Sequence, residues 1–437
     1  MWVIYLVQCN ICYTEHMNNT EIFSLALGVI APWKITDTQL IPSPDNNGKL
    51  ELHIYIDFKP GTSFKCPVCG KECKAYDTKE RVWRHMNFFQ YKCYIHARVP
   101  RITCHDDGIK TVDVPWGREG SGFTLLMEGV ILNLIRHMPV AAVAREIDEH
   151  DTKLWRVIDH YVEEEKAKRD FSDVSEIGVD EYSHKGHDYI TLFMTSSTWK
   201  HHTGRVMHIE HGKGKSTVEA FGKAFKSFKG IKNKITDITS DMCHGYRNAM
   251  QKLFPDALLT VDKFHVLSQS ADMVDKVRKF EMRSKDVSKT SALSGAKYVF
   301  LKNPENLTEK QAAKLDELKG LSNLDTLIAY DYHMRLKAIY DKCTDYEDAA
   351  FWLEHLVYEM AGSNINAIRT QGKSLARNAI EILNYFVHRK TNAMLEGFNS
   401  KVSIIKNRAR GFRTMKNFIN MIYFCLGDFE FPLVHLN

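Results

Sequence analysis

Two stretches decide the fold, IGVDEYSHKGHDYITLFM at 177–194 and KITDITSDMCHGY at 234–246. The first contains an apolar strand that ends in Asp180, followed by a second strand. The second contains a strand that ends in Asp241, followed by a helix. The pattern over 177–266 is strand, strand, strand, helix, strand, helix, strand, which predicts a multidomain protein with an α/β core.

Carboxylates at the ends of neighbouring strands are candidates for binding divalent cations. Mg²⁺ prefers a few carboxylate oxygens together with water and phosphate, and two such ions can activate water and stabilise a leaving 3′ oxygen. Asp180 and Asp241 fit this pattern, whereas Asp262 with His265 could instead be structural or position a substrate. Other carboxylates nearby compete for the same role: Glu181, Asp237 and Asp256.

A third carboxylate is predicted on a helix near the C-terminal end, TNAMLEGFNSKVSIIKNRA at 391–409. Its apolar positions recur at helical spacing, and Glu396, Asn399 and Ser403 fall on an adjacent polar face. The stretch that follows Glu396 is rich in cations and has no acidic residue from 401 to 416, which predicts a track for phosphates. The basic residues are Lys401, Lys406, Arg408, Arg410, Arg413 and Lys416.

FKCPVCG at 64–70 places Cys66 and Cys69 on one tight turn, which is the spacing of a zinc knuckle. A predicted hairpin follows, and Cys104 is the best third ligand. We expect His105 as the fourth ligand, and the sequence leaves two alternatives open, Asp107 and Cys93. The segment therefore predicts a zinc ribbon with a structural Zn²⁺.

PVAAVAREIDEHDTKLWRVIDHYV at 139–162 has the size and pattern of a helix-turn-helix. Lys153 and Arg156 are the candidate DNA contacts. Asp148 occupies the turn position where glycine is usual, and nearby acidic residues count against DNA contact there. An ordinary helical hairpin in a linker is the alternative interpretation.

Length and composition set the broad class. A chain of 437 residues, 44% hydrophobic and 26% charged, predicts two to four globular domains and excludes a mainly disordered or fibrous protein. No run of 18 apolar residues is present, so no membrane-spanning helix is expected. The net charge of +5 permits a nucleic acid partner, and ten cysteines with C-x-x-C pairs are typical of a reduced cytosolic protein with a metal site.

Composition and periodicity also divide the chain into segments. Residues 1–16 form a doubtful leader, with Met17 as an alternative to Met1 as the start. The expected segments after it are 17–62 (N-terminal segment), 63–116 (ribbon), 120–170 (helix-turn-helix), 174–266 (strands and helices), 267–390 (charged helical segment) and 391–430 (last helices). The family resemblance given below implies that 174–266 and 391–430 are two parts of one core and that 267–390 is a helical insertion between them.

Four long stretches resemble the DDE transposases of the ISL3 family of bacterial insertion sequences, and the resemblance runs in order from Met17 to Phe424. The stretches are IGVDEYSHKGHDYITLFM, TSDMCHGYRNAMQKLFPDALLTVDKFHV, YVFLKNPENLT and NAMLEGFNSKVSIIKNRARGFRTMKNF. The sequence departs from the family where relatives tend to have Cys or His three positions after the third zinc ligand, because Asp107 stands there.

The resemblance implies an RNase-H-like core in which Asp180, Asp241 and Glu396 are catalytic and hold two Mg²⁺ or Mn²⁺ ions. It also implies a zinc ribbon and helix-turn-helix that bind the terminal inverted repeats, a target DNA, a homo-oligomer, most simply a dimer, and a cytoplasmic, nucleoid-associated place in a bacterium. Two other functions compete with this expectation. One is a non-catalytic DNA-binding relic or regulator, and the other is a nuclease with the same core but no strand transfer.

Overall fold

The structure is a computed structural model that describes residues 19–43, 48–195, 204–242, 244–283, 287–321, 324–389 and 393–433. The leader predicted at 1–16 and the start at Met1 or Met17 lie outside these residues. The chain divides into two compact units, residues 1–161 with 430–437, and residues 162–429.

The first unit is built on a six-stranded sheet in which the strand predicted at 50–58 is present. The strand order is β1-β2-β5-β4-β3, with β6 beside β5. β2 and β5 are parallel, and the other pairs are antiparallel. The elements are α1 (Asn19–Leu27), β1 (Trp33–Pro42), β2 (Leu50–Phe58), β3 (Ser63–Lys65), β4 (Glu72–Phe88), β5 (Tyr91–Cys104) and β6 (Gly108–Thr111).

Tryptophans form the centre of the core on one face of this sheet. The rings of Trp33 and Trp116 meet edge to face with centroids 5.1 Å apart, and Trp83 meets Trp116 at 5.9 Å. A Cβ at Gly117 would lie 2.7 Å from Trp83 Nε1, so only glycine lets the backbone pass this ring. The alternation of side chains along the strands thus buries one face and leaves the other for polar residues.

His85 on β4 makes the stability of this unit depend on pH. Burial, with the charge of Arg84 adding to it, lowers the pKa of His85 from 6.5 to about 4. The unfolded chain binds a proton as the pH falls through 6.5, whereas the folded chain does not until about pH 4. We expect this one residue to remove about 3 kcal/mol of stability between pH 7 and pH 4.

Urea unfolding at the two pH values measures the effect. His85→Gln should flatten the slope, and His105→Gln, at an exposed side chain, should keep it. An unchanged slope in His85→Gln would contradict the assignment.

Three helices follow the sheet in sequence: α2 (Leu125–His137), α3 (Val140–Glu146) and α4 (Asp151–Ala167). The two last helices have the positions and lengths that a helix-turn-helix requires. The fully buried carboxylate of Glu128 on α2 accepts hydrogen bonds from Arg118, Ser121 and Tyr161, so it ties α2 to the second half of the long helix α4. The Glu128 carboxylate thus has a cation and two hydroxyl groups as hydrogen-bond donors, and a buried charge is tolerated only when it is paired in this way.

The second unit contains a five-stranded sheet in the element order that the sequence predicts, with strand order β11-β10-β7-β8-β9. β7, β8 and β9 are antiparallel neighbours, whereas β10 and β11 run parallel to β7. The elements are β7 (Glu176–Lys185), β8 (Asp188–Thr195), β9 (Arg205–His211), α5 (Lys215–Ser227), β10 (Asp237–Ser240), α6 (His244–Leu253) and β11 (Leu258–Val261).

The structure corrects one strand boundary. The sequence predicts that the first strand ends at Asp180, but β7 continues to Lys185 because its second half pairs with β8 in a hairpin. Pairing with β10 does stop at Val179, one residue before Asp180. Asp180 therefore lies at the edge of the parallel part of the sheet although it is in the middle of its strand.

Phenylalanines pack α5 onto this sheet. The rings of Phe193 on β8 and Phe221 on α5 are stacked with centroids 4.2 Å apart, and Phe225 and Phe254 extend the cluster. All four side chains are almost fully buried. Burial of this area is the main force that fixes the helix against the strands.

The segment predicted as a helical insertion is helical and has its own core. Within it, the buried Glu281 carboxylate accepts hydrogen bonds from the backbone N–H groups of Asp325 and Thr326, so it caps the first turn of a later helix. The helices are α7 (Lys263–Glu281), α8 (Val287–Leu293), α9 (Lys297–Leu301), α10 (Glu309–Lys319), α11 (Asp325–Lys342), α12 (Tyr346–Gly362), α13 (Asn366–Arg377), α14 (Ala379–Leu383) and α15 (Tyr385–His388).

Two helices end the described chain, α16 (Ala393–Arg408) and α17 (Met415–Leu426). The predicted apolar face of α16 is buried at Phe398, Val402 and Ile405. Among the residues that the structure describes, no helix is both long and apolar enough to cross a membrane.

Candidate functional site

Three thiols and one carboxylate meet at the end of the first sheet. The turn after β3 carries Cys66 and Cys69, Cys104 ends β5, and Asp107 lies in the turn before β6. One ligand atom from each lies within 4.8 Å of the others. Cys69 Sγ is 3.4 Å from Cys104 Sγ, and Cys66 Sγ is 3.3 Å from Asp107 Oδ2.

The pKa values of two thiols in this cluster are shifted by the neighbouring groups. The hydrogen bond to the Asp107 carboxylate raises the pKa of the Cys69 thiol to about 12. Backbone N–H groups of Asp106 and Asp107 lower the pKa of the Cys104 thiol. A cation at the centre would relieve the repulsion that ionising all four groups creates.

The expected fourth ligand His105 lies elsewhere. Its side chain is 98% exposed and contacts Asp106 instead of the thiols. Cys93, the other alternative, is buried in the core of the sheet. The geometry therefore brings the alternative Asp107, and neither His105 nor Cys93, to the three thiols.

Acidic residues in the turn between α3 and α4 contact the sheet of the first unit. Lys92 Nζ on β5 is 2.7 Å from Asp148 Oδ2, and Arg84 Nε on β4 is 3.7 Å from Glu149 Oε1. Arg84 and Glu149 are both almost fully buried. Asp148 has a left-handed φ of 54°, which aspartate tolerates better than most residues. The acidic turn is thus an anchor for the helix pair.

Neutralising Glu149 should destabilise the first unit by about 3 kcal/mol, since Glu149→Gln leaves the buried Arg84 without its counter-charge. The matched variant Asp148→Asn removes an exposed pair and keeps a side chain suited to positive φ, so about 0.5 kcal/mol is expected. Urea unfolding compares the two. Equal effects would show that the buried pair is not the anchor.

The two candidate DNA contacts on α4 differ in their surroundings. Lys153 Nζ lies 2.7 Å from Glu149 Oε2, so this cation already has an acidic partner in the protein. Arg156 lies nearly one turn after Lys153 in the same helix, and its side chain is exposed. The structure therefore leaves Arg156 more available to an external anion than Lys153.

The parallel strands of the second unit place carboxylates side by side. Ser240 on β10 is opposite Val179 on β7, so the next residues, Asp241 and Asp180, occupy neighbouring positions. Adjacent strands are about 4.8 Å apart, which brings two carboxylates into one site. Asp262, directly after β11, occupies the corresponding place beside Asp241.

The surroundings of Asp180 hinder ionisation of its carboxyl group. Burial raises the pKa of Asp180 to about 6, and the charge of Asp241 acts in the same direction. The nearby His265 is the largest of the effects that oppose this rise, and hydrogen bonds from the Glu181 backbone and from Asn399 also oppose it. A buried carboxylate next to a second carboxylate forms a site that favours a bound cation.

α16 lies along β7 and contacts it from three successive helical turns. Asn399 Nδ2 donates to Asp180 Oδ2 at 2.5 Å, and Tyr182 Oη donates to Ser403 Oγ at 3.2 Å. Lys406 Nζ donates to the Ser183 carbonyl oxygen at 3.4 Å. Glu396 is one turn before Asn399 in the same helix, and its side chain lies outside the described part of the structure.

The predicted basic tract spans the end of α16 and the loop before α17. Lys401, Arg410 and Arg413 are exposed, while Lys406 and Arg408 are half-buried. The tract thus begins on the helix that contacts Asp180 and continues away from it along the chain. Cations placed in this way could bind the backbone phosphates of a nucleic acid strand that reaches the carboxylates.

Comparison with known families identifies the chain. A family model described as a transposase, of the ISL3 DDE type, matches residues 177–422, more than half of the chain. The chain belongs to the ISL3 family of transposases. Two further models match this ISL3 transposase: a helix-turn-helix domain of transposase family ISL3 at 112–162, and a zinc finger of transposases of the IS204, IS1001, IS1096 and IS1165 elements at 62–107.

Curated relatives agree with the family models. This ISL3 transposase is 23% identical over 431 residues to the transposase of element IS1557 from Mycobacterium tuberculosis, covering 91% of this chain and 93% of the relative. It is 26% identical over 397 residues to the transposase of element IS1001 from Bordetella parapertussis, covering 88% and 94%. The chain is therefore an insertion-sequence transposase of the DDE type with a zinc ribbon and a helix-turn-helix, and the expectation from the sequence is confirmed at that level.

Sequence reasoning missed two groups at these sites. It noted Asn399 only as one polar position on a helix, although this residue contacts Asp180. It counted the acidic turn against DNA contact and did not foresee its ion pairs with the sheet. The only sequence signals were an amide three residues after Glu396 and two acids at a turn.

Proposed function

We propose that Asp180, Asp241 and Glu396 are the catalytic carboxylates of this ISL3 transposase, in an RNase-H-like core. The observation that carries the proposal is the pairing of β7 with β10, which sets Asp180 beside Asp241. The hydrogen bond of Asn399 to Asp180 supports Glu396 as the third member, because it brings the helix that contains Glu396 to the same strand.

The residues fit divalent cations. Carboxylate oxygens are the hard ligands that Mg²⁺ and Mn²⁺ prefer, and such cations would neutralise the neighbouring carboxylates of buried Asp180 and half-buried Asp241. We propose two Mg²⁺ or Mn²⁺ ions held by Asp180, Asp241 and Glu396. When bound, such ions supply an activated water or hydroxyl group and charge stabilisation at the phosphate.

The protein's own contribution is to bind and orient the DNA. We propose that the basic tract (Lys401, Lys406, Arg408, Arg410 and Arg413) holds the phosphates of the strand at the carboxylates. Hydrolysis at the element end frees a 3′ hydroxyl, which then attacks a target phosphodiester in line, so one bond between the 3′ oxygen and phosphorus breaks and another forms.

The N-terminal unit is the proposed reader of the terminal inverted repeats. Cys66, Cys69, Cys104 and Asp107 would bind a structural Zn²⁺, with Asp107 replacing the expected His105. Arg156 and Lys153 on α4 would contact DNA, and Lys153 must exchange Glu149 for a phosphate to do so. Joining two element ends favours a homodimer, and a DNA substrate favours a cytoplasmic, nucleoid-associated protein.

A strand-transfer assay tests the function. A labelled, precleaved duplex of an element end is incubated with a plasmid and Mg²⁺ or Mn²⁺, and joined product is measured. Joining supports the transposase, whereas nicking without joining indicates a nuclease. Specific end binding without either reaction indicates a DNA-binding relic.

A matched pair of variants tests the third carboxylate. Glu396→Gln is expected to abolish joining, and Asp262→Asn, beside Asp241 at the end of β11, is expected to retain most of it. Joining that survives in Glu396→Gln but not in Asp262→Asn would replace Glu396 by Asp262 in the triad.

A further inference from the structure

Asp180 is fixed by hydrogen bonds to both of its carboxylate oxygens. Oδ1 accepts from the backbone N–H of Glu181 at 2.8 Å, and Oδ2 accepts from Asn399 Nδ2 at 2.5 Å. The first bond is local, whereas the second crosses from β7 to α16. The orientation of this buried carboxylate therefore depends on one side chain of α16.

The other end of the Asn399 amide is unusual. Its Oδ1 is buried and has no hydrogen-bond partner among the residues that the structure describes. Reversing the amide would not help, because Oδ1 would then face the Asp180 carboxylate at a distance where two oxygens repel. Since carboxylates accept but do not donate when ionised, the neighbouring acids cannot satisfy Oδ1 either.

A water molecule on a divalent cation is a donor that fits this oxygen. Mg²⁺ retains several waters in protein sites, and the residues that orient its ligands are fixed by hydrogen bonds of this kind. We propose that Asn399 is a positioning residue of the cation site, which holds Asp180 through Nδ2 and accepts a hydrogen bond from a cation-bound water through Oδ1. This inference rests on the proposed function of Asp180.

The charge balance of the site favours an amide at this position. A carboxylate at position 399 would add a negative charge next to Asp180 and would have no N–H to donate. Asn399 instead donates an N–H to the Asp180 carboxylate. The amide thus supports the ionised Asp180 without adding a charge to it.

Binding of Mn²⁺ alone to the full-length protein gives a readout that is independent of activity. Free Mn²⁺ is followed by electron paramagnetic resonance in wild type, Asn399→Leu and Asn399→Ser, the second being a smaller change in case the leucine variant does not fold. Ser403→Ala is the matched control, because Ser403 is one turn further along α16 and contacts Tyr182 and not Asp180.

We expect both Asn399 variants to raise the Mn²⁺ concentration for half-saturation by about 10- to 100-fold. Joining should then recover substantially when the cation is raised to saturation, and Ser403→Ala should remain within about twofold of wild type in both measurements. Wild-type Mn²⁺ binding by the folded Asn399 variants would overturn the inference.

Asp180→Asn distinguishes this inference from the function on which it rests. If Asp180→Asn loses Mn²⁺ binding while the Asn399 variants do not, the role of Asn399 is wrong and the triad stands. If Asp180→Asn binds Mn²⁺ and joins DNA like wild type, the proposed triad is itself wrong.

Discussion

Asp180→Asn and Asp241→Asn are each expected to lower the rate of strand cleavage and joining by at least about 10³-fold. The two carboxylates occupy neighbouring positions on β7 and β10, so each amide removes a charged oxygen from the same site. Folding should be retained, because the changes keep side-chain shape and remove a mutual repulsion that burial strengthens. Single-turnover cleavage of a labelled element end measures the loss.

Asp256→Asn is the matched control, since Asp256 is an exposed carboxylate shortly before β11 that the sequence alone does not separate from the candidates. It should cleave at the wild-type rate. Specific binding of the element end should persist in all three variants. If Asp241→Asn cleaves at the wild-type rate, Asp241 is not a member of the triad. Asp262, the next carboxylate along the sheet, would then be the candidate in its place.

Cys104→Ser is expected to release zinc and to weaken binding of the element end by about 100-fold or more. Structural zinc contributes about 10 kcal/mol or more to small zinc domains, although here a tryptophan core stabilises the rest of the sheet. The ends of β3 and β5 and the start of β6 should therefore lose their order while the remainder stays folded. Zinc content and end binding are the two measurements, and exposed Cys425→Ser is the control.

The fourth ligand is tested within one loop. Asp107→Ala should weaken zinc binding by about 100-fold in a chelator competition, whereas His105→Ala should not change it, because the His105 side chain is almost fully exposed. The opposite result would restore His105. A thiolate is the softer ligand, so Asp107→Cys should tighten the site.

Local patterns were enough to predict much of the second unit. Period-two alternation and carboxylates after apolar strands predicted the succession of strands and helices along the chain and the neighbourhood of Asp180 and Asp241. The hairpin of β4 and β5 and the turn with Cys66 and Cys69 were also predictable, since a hairpin and a C-x-x-C turn have strong short-range signatures. The strands, the hairpin and the knuckle depend on residues that are close in the chain.

Features that depend on tertiary contacts were not predictable. His105 and Asp107 differ by only two positions, and the conformation of the turn, with Gly108 at a φ of 72°, decides which side chain meets the thiols. The contact of Asn399 with Asp180 joins residues 219 positions apart, so no local pattern contains it. Asp180 also lies within a strand and not at its end, because pairing with β8 extends β7.

The distance along the chain between β7 and α16 has a consequence for synthesis of the protein. A nascent or prematurely terminated chain that stops before α16 has Asp180, Asp241 and the helix-turn-helix, but lacks Glu396 and Asn399. Catalysis would therefore await translation of the whole helical insertion. Under the proposed function, a truncated product would bind element ends through the helix-turn-helix without cutting them.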